Sequence, residues 1–178
     1  MKQETTQHHE FASREAFRIA LDKTPPSGWV KKRSLGGAKS STYIPIEVLQ
    51  ATADRFFDEI DVIKEHYQQI ENEILCTVTM QLLPSYPNAD YRIVTGTGAT
   101  PIQAKSGSLI EKFPRGKLTN SLEYCAPKAR TSAISNALST MGNVFGRNLG
   151  RAVSAGFKFA KEEKSKKKKS KKKKNGKK

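Results

Sequence analysis

Residues 126–150, APKARTSAISNALSTMGNVFGRNLG, restrict the fold more than any other stretch of the chain. Ala126, Ala129, Ala133, Ile134, Ala137, Leu138, Met141, Val144 and Phe145 recur at three- and four-residue steps. That recurrence is one apolar face of a helix with about 3.6 residues per turn. Ala129, Ala133 and Ala137 place small side chains one turn apart, so another element can approach this face closely. The opposite face carries Lys128, Arg130, Thr131, Ser135, Asn136, Ser139, Thr140 and Asn143, basic or uncharged polar and never acidic. A core helix lying on a sheet accounts for the apolar face. What the acid-free face looks at is the functional question.

The sheet has its own period. In residues 74–83, Cys76, Val78, Met80 and Leu82 share one side, and Thr77, Thr79 and Gln81 the other, as in a half-buried strand. Residues 62–69 alternate well enough to precede it as a strand, with a turn at 71–73. Residues 91–97 follow as a third strand after the turn PSYPNAD. Gly96 and Gly98 mark a bend in that strand or a close approach by another backbone. Upstream, residues 11–21 predict a short helix stopped by Pro25 and Pro26. Residues 29–33 and 42–46 predict a hairpin around SLGGAKSS, where Gly36 and Gly37 permit positive φ. Pro45 then opens a helix. Its buried stripe is Ile46, Leu49, Ala53, Phe56, Phe57 and Ile60, and its outer face is acidic through Glu47, Asp54, Asp58 and Glu59. Asn120 and Glu123 have capping-box spacing ahead of the long helix, which Pro127 kinks or restarts and Gly142 weakens in its middle. The fold class is therefore α+β: an antiparallel three-stranded sheet packed on a long C-terminal helix, a β-β-β-α core, with an N-terminal helix and β-hairpin.

Charge organises the rest. The 178-residue chain has a net charge of +15, and residues 161–178 hold twelve Lys against two Glu. A run such as KKKKSKKKK repels itself and buries nothing, so Lys166, Lys167, Lys168, Lys169, Lys171, Lys172, Lys173 and Lys174 belong to an expected disordered tail. By itself that tail fits a nuclear address, an anionic membrane contact or a nucleic-acid tether. Residues 1–9 are polar and expected to be loose, leaving residues 10–160 as the folded domain. Inside it, residues 47–73 carry eight Asp or Glu against Arg55 and Lys64, whereas residues 91–160 carry ten Lys or Arg against Glu111 and Glu123. Segregation of this kind predicts an acidic face and a basic face, and a basic face favours a polyanion through counterion release.

Several chemistries lack their residues. Cys76 and Cys125 are too few for a disulfide framework and lack metal spacing, and His8, His9 and His66 are the only histidines. GGAKSS fails as a phosphate loop, because Ala38 precedes the Lys and Arg33 occupies the position of the first Gly. No apolar run approaches the roughly 18 residues of a membrane span. The expectation is a non-enzymatic, intracellular protein with no cofactor, no metal and no membrane partner.

Two separated stretches carry a resemblance. WVKKRSLGGAKSSTYIPIEVLQATADRFF, residues 29–57, has an Arg, a Gly-rich turn and a Tyr-Ile pair ahead of an amphipathic helix ending in aromatics. KARTSAISNALSTMGNVFGRNLG, residues 128–150, has a Lys-Ala-Arg start and a Phe-Gly-x-x-Leu-Gly end. Both, in order around the strands, resemble the single-strand annealing domain of the Rad-fifty-two family over residues 15–155, and the small size is similar to phage or mobile-element members of the Sak type. The resemblance implies a curved sheet wrapped on the long helix and assembly into a ring. It also implies a positively charged groove in which single-stranded DNA lies with its bases exposed for pairing, without nucleotide hydrolysis. By position, Arg33 would contact the DNA backbone and Tyr43 would line the groove, with Lys31, Lys32, Lys39, Lys128, Arg130, Asn143, Arg147 and Arg151 contributing. Ser139, Thr140 and Asn143 stand where the family has basic residues, a departure that Arg147, Arg151, Lys128 and Arg130 would offset. Lys105, Lys112, Arg115 and Lys117 form a basic loop without a close counterpart, a candidate secondary DNA contact.

The implied role is ATP-independent annealing in recombination and repair, in a bacterial cytoplasm near the nucleoid or, for a eukaryotic source, in a nucleus. A single-strand-binding protein or an exonuclease are the further partners it suggests. The alternative is a structural nucleic-acid-binding protein without annealing activity. Solvated helix cations, an edge aromatic at Tyr43 and arginines that merely offset a helix C-terminus are the plain readings of the same residues.

Overall fold

A computed structural model of the chain describes residues 9–34, 40–104 and 117–149. Gly36, Gly37, Lys39, Lys105, Lys112, Arg115, Arg151 and the Lys-rich tail lie outside the described residues. Helix α1 (Arg14–Leu21) is followed by strands β1 (Lys31–Ser34) and β2 (Ser40–Tyr43), then by helix α2 (Ile46–Phe56). Strands β3 (Phe57–Ile70), β4 (Glu73–Pro84) and β5 (Arg92–Pro101) form an antiparallel meander, and helix α3 (Ser121–Ser139) packs across it. This is the α+β order that the sequence predicts.

Strand and helix meet by their periods. Cys76, Val78, Met80 and Leu82 of β4 are buried, and so are Ala129, Ala133, Ile134, Ala137 and Leu138 of α3. Gly96 and Gly98 of β5 lie directly under the helix: a Cβ on Gly96 would stand 2.1 Å from the Ala133 carbonyl oxygen, and one on Gly98 2.3 Å from that of Ala129. The two glycines and the three alanines thus form one helix–strand contact in which backbones nearly touch.

A second cluster closes the end of the sheet. Phe17 of α1 is fully buried and its ring lies 5.3–5.9 Å from those of Phe11, Phe56, Phe57 and Tyr86. Phe145, in a short 3-10 turn after α3 (Asn143–Phe145), reaches Phe56 and Phe57. The same cluster anchors the chain ahead of α1. The Glu10 amide donates to the Ser85 hydroxyl and the Phe11 amide to the Ser85 carbonyl, while Arg55 pairs with Glu10 at 2.7 Å and His9 with Asp58 at 3.0 Å. His9, expected in a loose terminus, is docked.

Several features differ from expectation: the hairpin arms are residues 31–34 and 40–43, and α3 ends at Ser139, so Met141, Val144 and Phe145 lie beyond the helix. Helix α2 ends at Phe56, and Phe57 is already extended (φ −129°, ψ 133°) and paired with Pro84. Pairing the whole length of β4 outweighs the helical reading of residues 57–60, so Asp58 and Glu59 sit on a strand rather than on an acidic helix face. Asn120 does precede α3, but in the left-handed region (φ 61°) with no side-chain bond, so the capping box is not formed. Pro127 is exposed and the helix runs through it as one element. Gly142 lies beyond the end of α3, pressed against Leu21, where a Cβ would stand 2.6 Å from the Leu21 carbonyl oxygen.

Candidate nucleic-acid groove

Hairpin register sets the first wall. Lys31 faces Tyr43 and Arg33 faces Ser41, so all four share one side of the β1–β2 ladder. The Arg33 Nε donates to the Ser41 hydroxyl at 3.1 Å, and its guanidinium carbon stands 5.8 Å from the centre of the Tyr43 ring. The pair presents a planar cation over a half-exposed aromatic face, held by the strands rather than by a loop.

The second wall is α3. Lys128, Thr131, Ser132, Ser135, Asn136 and Ser139 face Arg33 and Tyr43 across an open groove of about 760 Å³. Ile44, Leu49 and Phe145, all buried, supply an apolar floor, and Arg147 also lines the groove. The free edge of β5, residues Thr97, Gly98 and Ala99, lines the groove as well, and the Asn136 amide donates to the Thr97 carbonyl at 2.7 Å. Five residues of the acid-free face of α3, Lys128, Thr131, Ser135, Asn136 and Ser139, therefore look into a groove rather than into open solvent.

The sequence-selected residues divide. Arg33, Tyr43, Lys128 and Arg147 converge, although the first two lie at least 85 residues from the last two in the chain. Lys31 and Lys32 are exposed on the hairpin and do not line the groove. Lys117 stands in an isolated antiparallel bridge with Ala104, also outside it. Asn143 turns its amide toward the Asp22 carbonyl, and Arg130 points the other way, to β3. Ser139 and Thr140 donate their hydroxyl protons to the Asn136 and Ala137 carbonyls of their own helix, at 2.8 and 2.6 Å. Both hydroxyl protons are thus taken up within the helix's own last turn. Arg147 donates to the Thr140 carbonyl at the end of α3, which leaves further guanidinium N–H groups for the groove. Sequence reasoning missed Glu47, which lines the groove from the first turn of α2, as well as the β5 edge.

Arg130 belongs to a separate cluster on the flank of α3. Its Nε donates to Glu65 at 2.9 Å, and the Tyr67 hydroxyl donates to the other Glu65 oxygen at 2.6 Å. The Tyr67 hydrogen bond, then that from Arg130, holds the Glu65 carboxyl below its ordinary range. The same Tyr67 bond raises the phenol, and burial raises the neighbouring Cys76 thiol. A carboxyl with a lowered folded-state pKa stabilises the fold above its unfolded value, and that contribution is lost as pH falls through the folded one. Glu65→Gln should thus cost about 0.5–1 kcal/mol at neutral pH, as expected for a partly exposed pair. The difference from the parent should vanish in acid, which urea denaturation at a series of pH values checks.

Among the described residues, no group of three or more His, Cys, Asp or Glu is arranged to hold a metal, and no helix is long and apolar enough to cross a membrane. No known protein family and no curated protein matches the chain.

Proposed function

We propose that the chain is an ATP-independent single-strand DNA annealing protein that works as a homo-oligomeric ring of the Rad-fifty-two type. The observation that carries this reading is the convergence of Arg33, Tyr43, Lys128 and Arg147 on one groove with an apolar floor. Guanidinium groups take phosphate oxygens through paired N–H donors, and an aromatic face supports a sugar or base without regard to sequence. Contacts to backbone rather than base edges leave the strand readable by its complement. In this account the sheet curves around the ring, the grooves of successive copies join, and the Lys-rich tail adds salt-sensitive attraction to DNA. A bacterial cytoplasm is the compartment in which we place this activity, with a single-strand-binding protein or an exonuclease as its partners.

The test is duplex formation from two complementary oligonucleotides without nucleotide or Mg²⁺, read by energy transfer, with particle shape seen by negative stain. Acceleration together with rings is the expected result. Binding without acceleration would replace the reading by a structural nucleic-acid-binding protein.

A further inference from the structure

The face of the sheet opposite α3 carries a patch that the groove does not use. Asp61, Gln81 and Ile93 form a row across β3, β4 and β5, and Glu59 lies in the next row opposite Leu83. The Tyr91 hydroxyl spans that row to the Glu59 carboxylate at 2.5 Å. Ile93 is 66% exposed and Tyr91 48%, so an aliphatic and an aromatic side chain stand in solvent beside two carboxylates. Among the described residues, Lys64, paired across from Thr79, stands further along β3.

We propose that this patch docks the chain's own C-terminal segment, residues 157–174. Two properties of that segment match it. Phe157 and Phe159 are two residues apart, so an extended backbone puts both rings on one side, where Tyr91 and Ile93 offer apolar surface. Lys158, Lys161 and Lys164 interleave or follow them, and the cluster beyond adds further cations opposite Glu59 and Asp61. An ammonium beside Tyr91 gains both from its ring face and from the two carboxylates. The eight residues from Leu149 to Phe157 can extend about 27 Å, a linker long enough to round a sheet edge. Exposed ion pairs are individually weak, so the docking is reversible and sensitive to salt.

The test uses the full chain without nucleic acid, so its outcome bears on this surface and not on the groove. Ile93→Cys is labelled with a benzophenone maleimide; the native Cys76 and Cys125 are buried and are spared in the folded protein. After irradiation, adducts are mapped by mass spectrometry. Adducts concentrated in residues 157–174, falling at least fivefold when Glu59→Lys and Asp61→Lys are added or when salt is raised to 0.5 M, are expected. The salt arm needs no further substitution and so stands even if the charge reversals disturb folding. Adducts elsewhere, such as the 31–43 hairpin of a second copy, or a yield indifferent to both charge reversal and salt, would overturn the proposal.

Discussion

Gly96→Ala is expected to lower the thermal midpoint of the domain by about 10 °C, because a single methyl group has nowhere to go. Its Cβ would lie 2.1 Å from the Ala133 carbonyl oxygen and 2.3 Å from the Ala137 nitrogen. Both neighbours are helix backbone, so no side-chain rotation relieves the clash, and α3 has to lift away from β5. Lifting it exposes Ala129, Ala133 and Ala137, each 0% exposed, together with Cys76 and Val78 beneath. Overpacking against a rigid neighbour costs up to about 3 kcal/mol, and each kcal/mol moves the midpoint by about 2–4 °C in a domain of this size. Gly28→Ala is the control, since nothing stands within 4 Å of its Cβ, and it should shift the midpoint little. A midpoint unchanged by Gly96→Ala would mean that α3 is not seated on β5 in this way.

The second large effect concerns the groove. Replacing Arg33, Lys128 and Arg147 together by alanine is expected to weaken single-strand binding at least 100-fold at 0.1 M salt, and to slow annealing in proportion. Each charge-assisted contact contributes about 1.5–3 kcal/mol, so a loss of two decades is a modest expectation for three. The salt dependence gives a sharper signature. Each neutralised phosphate contributes about 0.7 to the slope of log K against log salt on single strands, so the variant's slope should fall by about 2 for each bound copy. Arg33→Lys should be intermediate, because an ammonium keeps the charge but neither forks onto phosphate nor stacks on Tyr43. All three side chains line an open groove, and only Arg147 also bonds a helix-end carbonyl, so circular dichroism should report a folded protein. Parental affinity and slope in the folded triple variant would remove the groove from the account.

How far the sequence foretells all this depends on the range of the interactions involved. Helix α3 and strand β4 are legible because each buries one face at its own period, and Gly96 and Gly98 because a glycine pair in a strand already signals close approach. The junction at Phe56–Phe57 is not, since two adjacent aromatics suit a helix end and a strand start equally. Only pairing with Pro84 decides between them. Asn120 illustrates a local rule overruled: the spacing to Glu123 is right, but the chain enters α3 through a left-handed residue. At the site, Arg33 and Tyr43 are indicated by the resemblance over residues 29–57, and the β1–β2 pairing then sets them on one face. The direction of Arg130 is not legible, because the Glu65 that turns it away lies in a distant strand. Glu47 reads as outer-face charge, yet it lines the groove together with Arg33 and Tyr43 of the hairpin.

The central claim is that strand annealing resides in the folded groove and not in the polycation behind it. The measurement that tests it most directly compares annealing of two fluorescent complementary oligonucleotides, without ATP, by the full chain and by a chain ending at Ala160. Acceleration by both, with the shorter protein more sensitive to the Arg33, Lys128 and Arg147 substitutions, is the predicted result. Acceleration by the full chain alone would contradict it, because the Lys-rich tail would then be condensing strands without help from the groove.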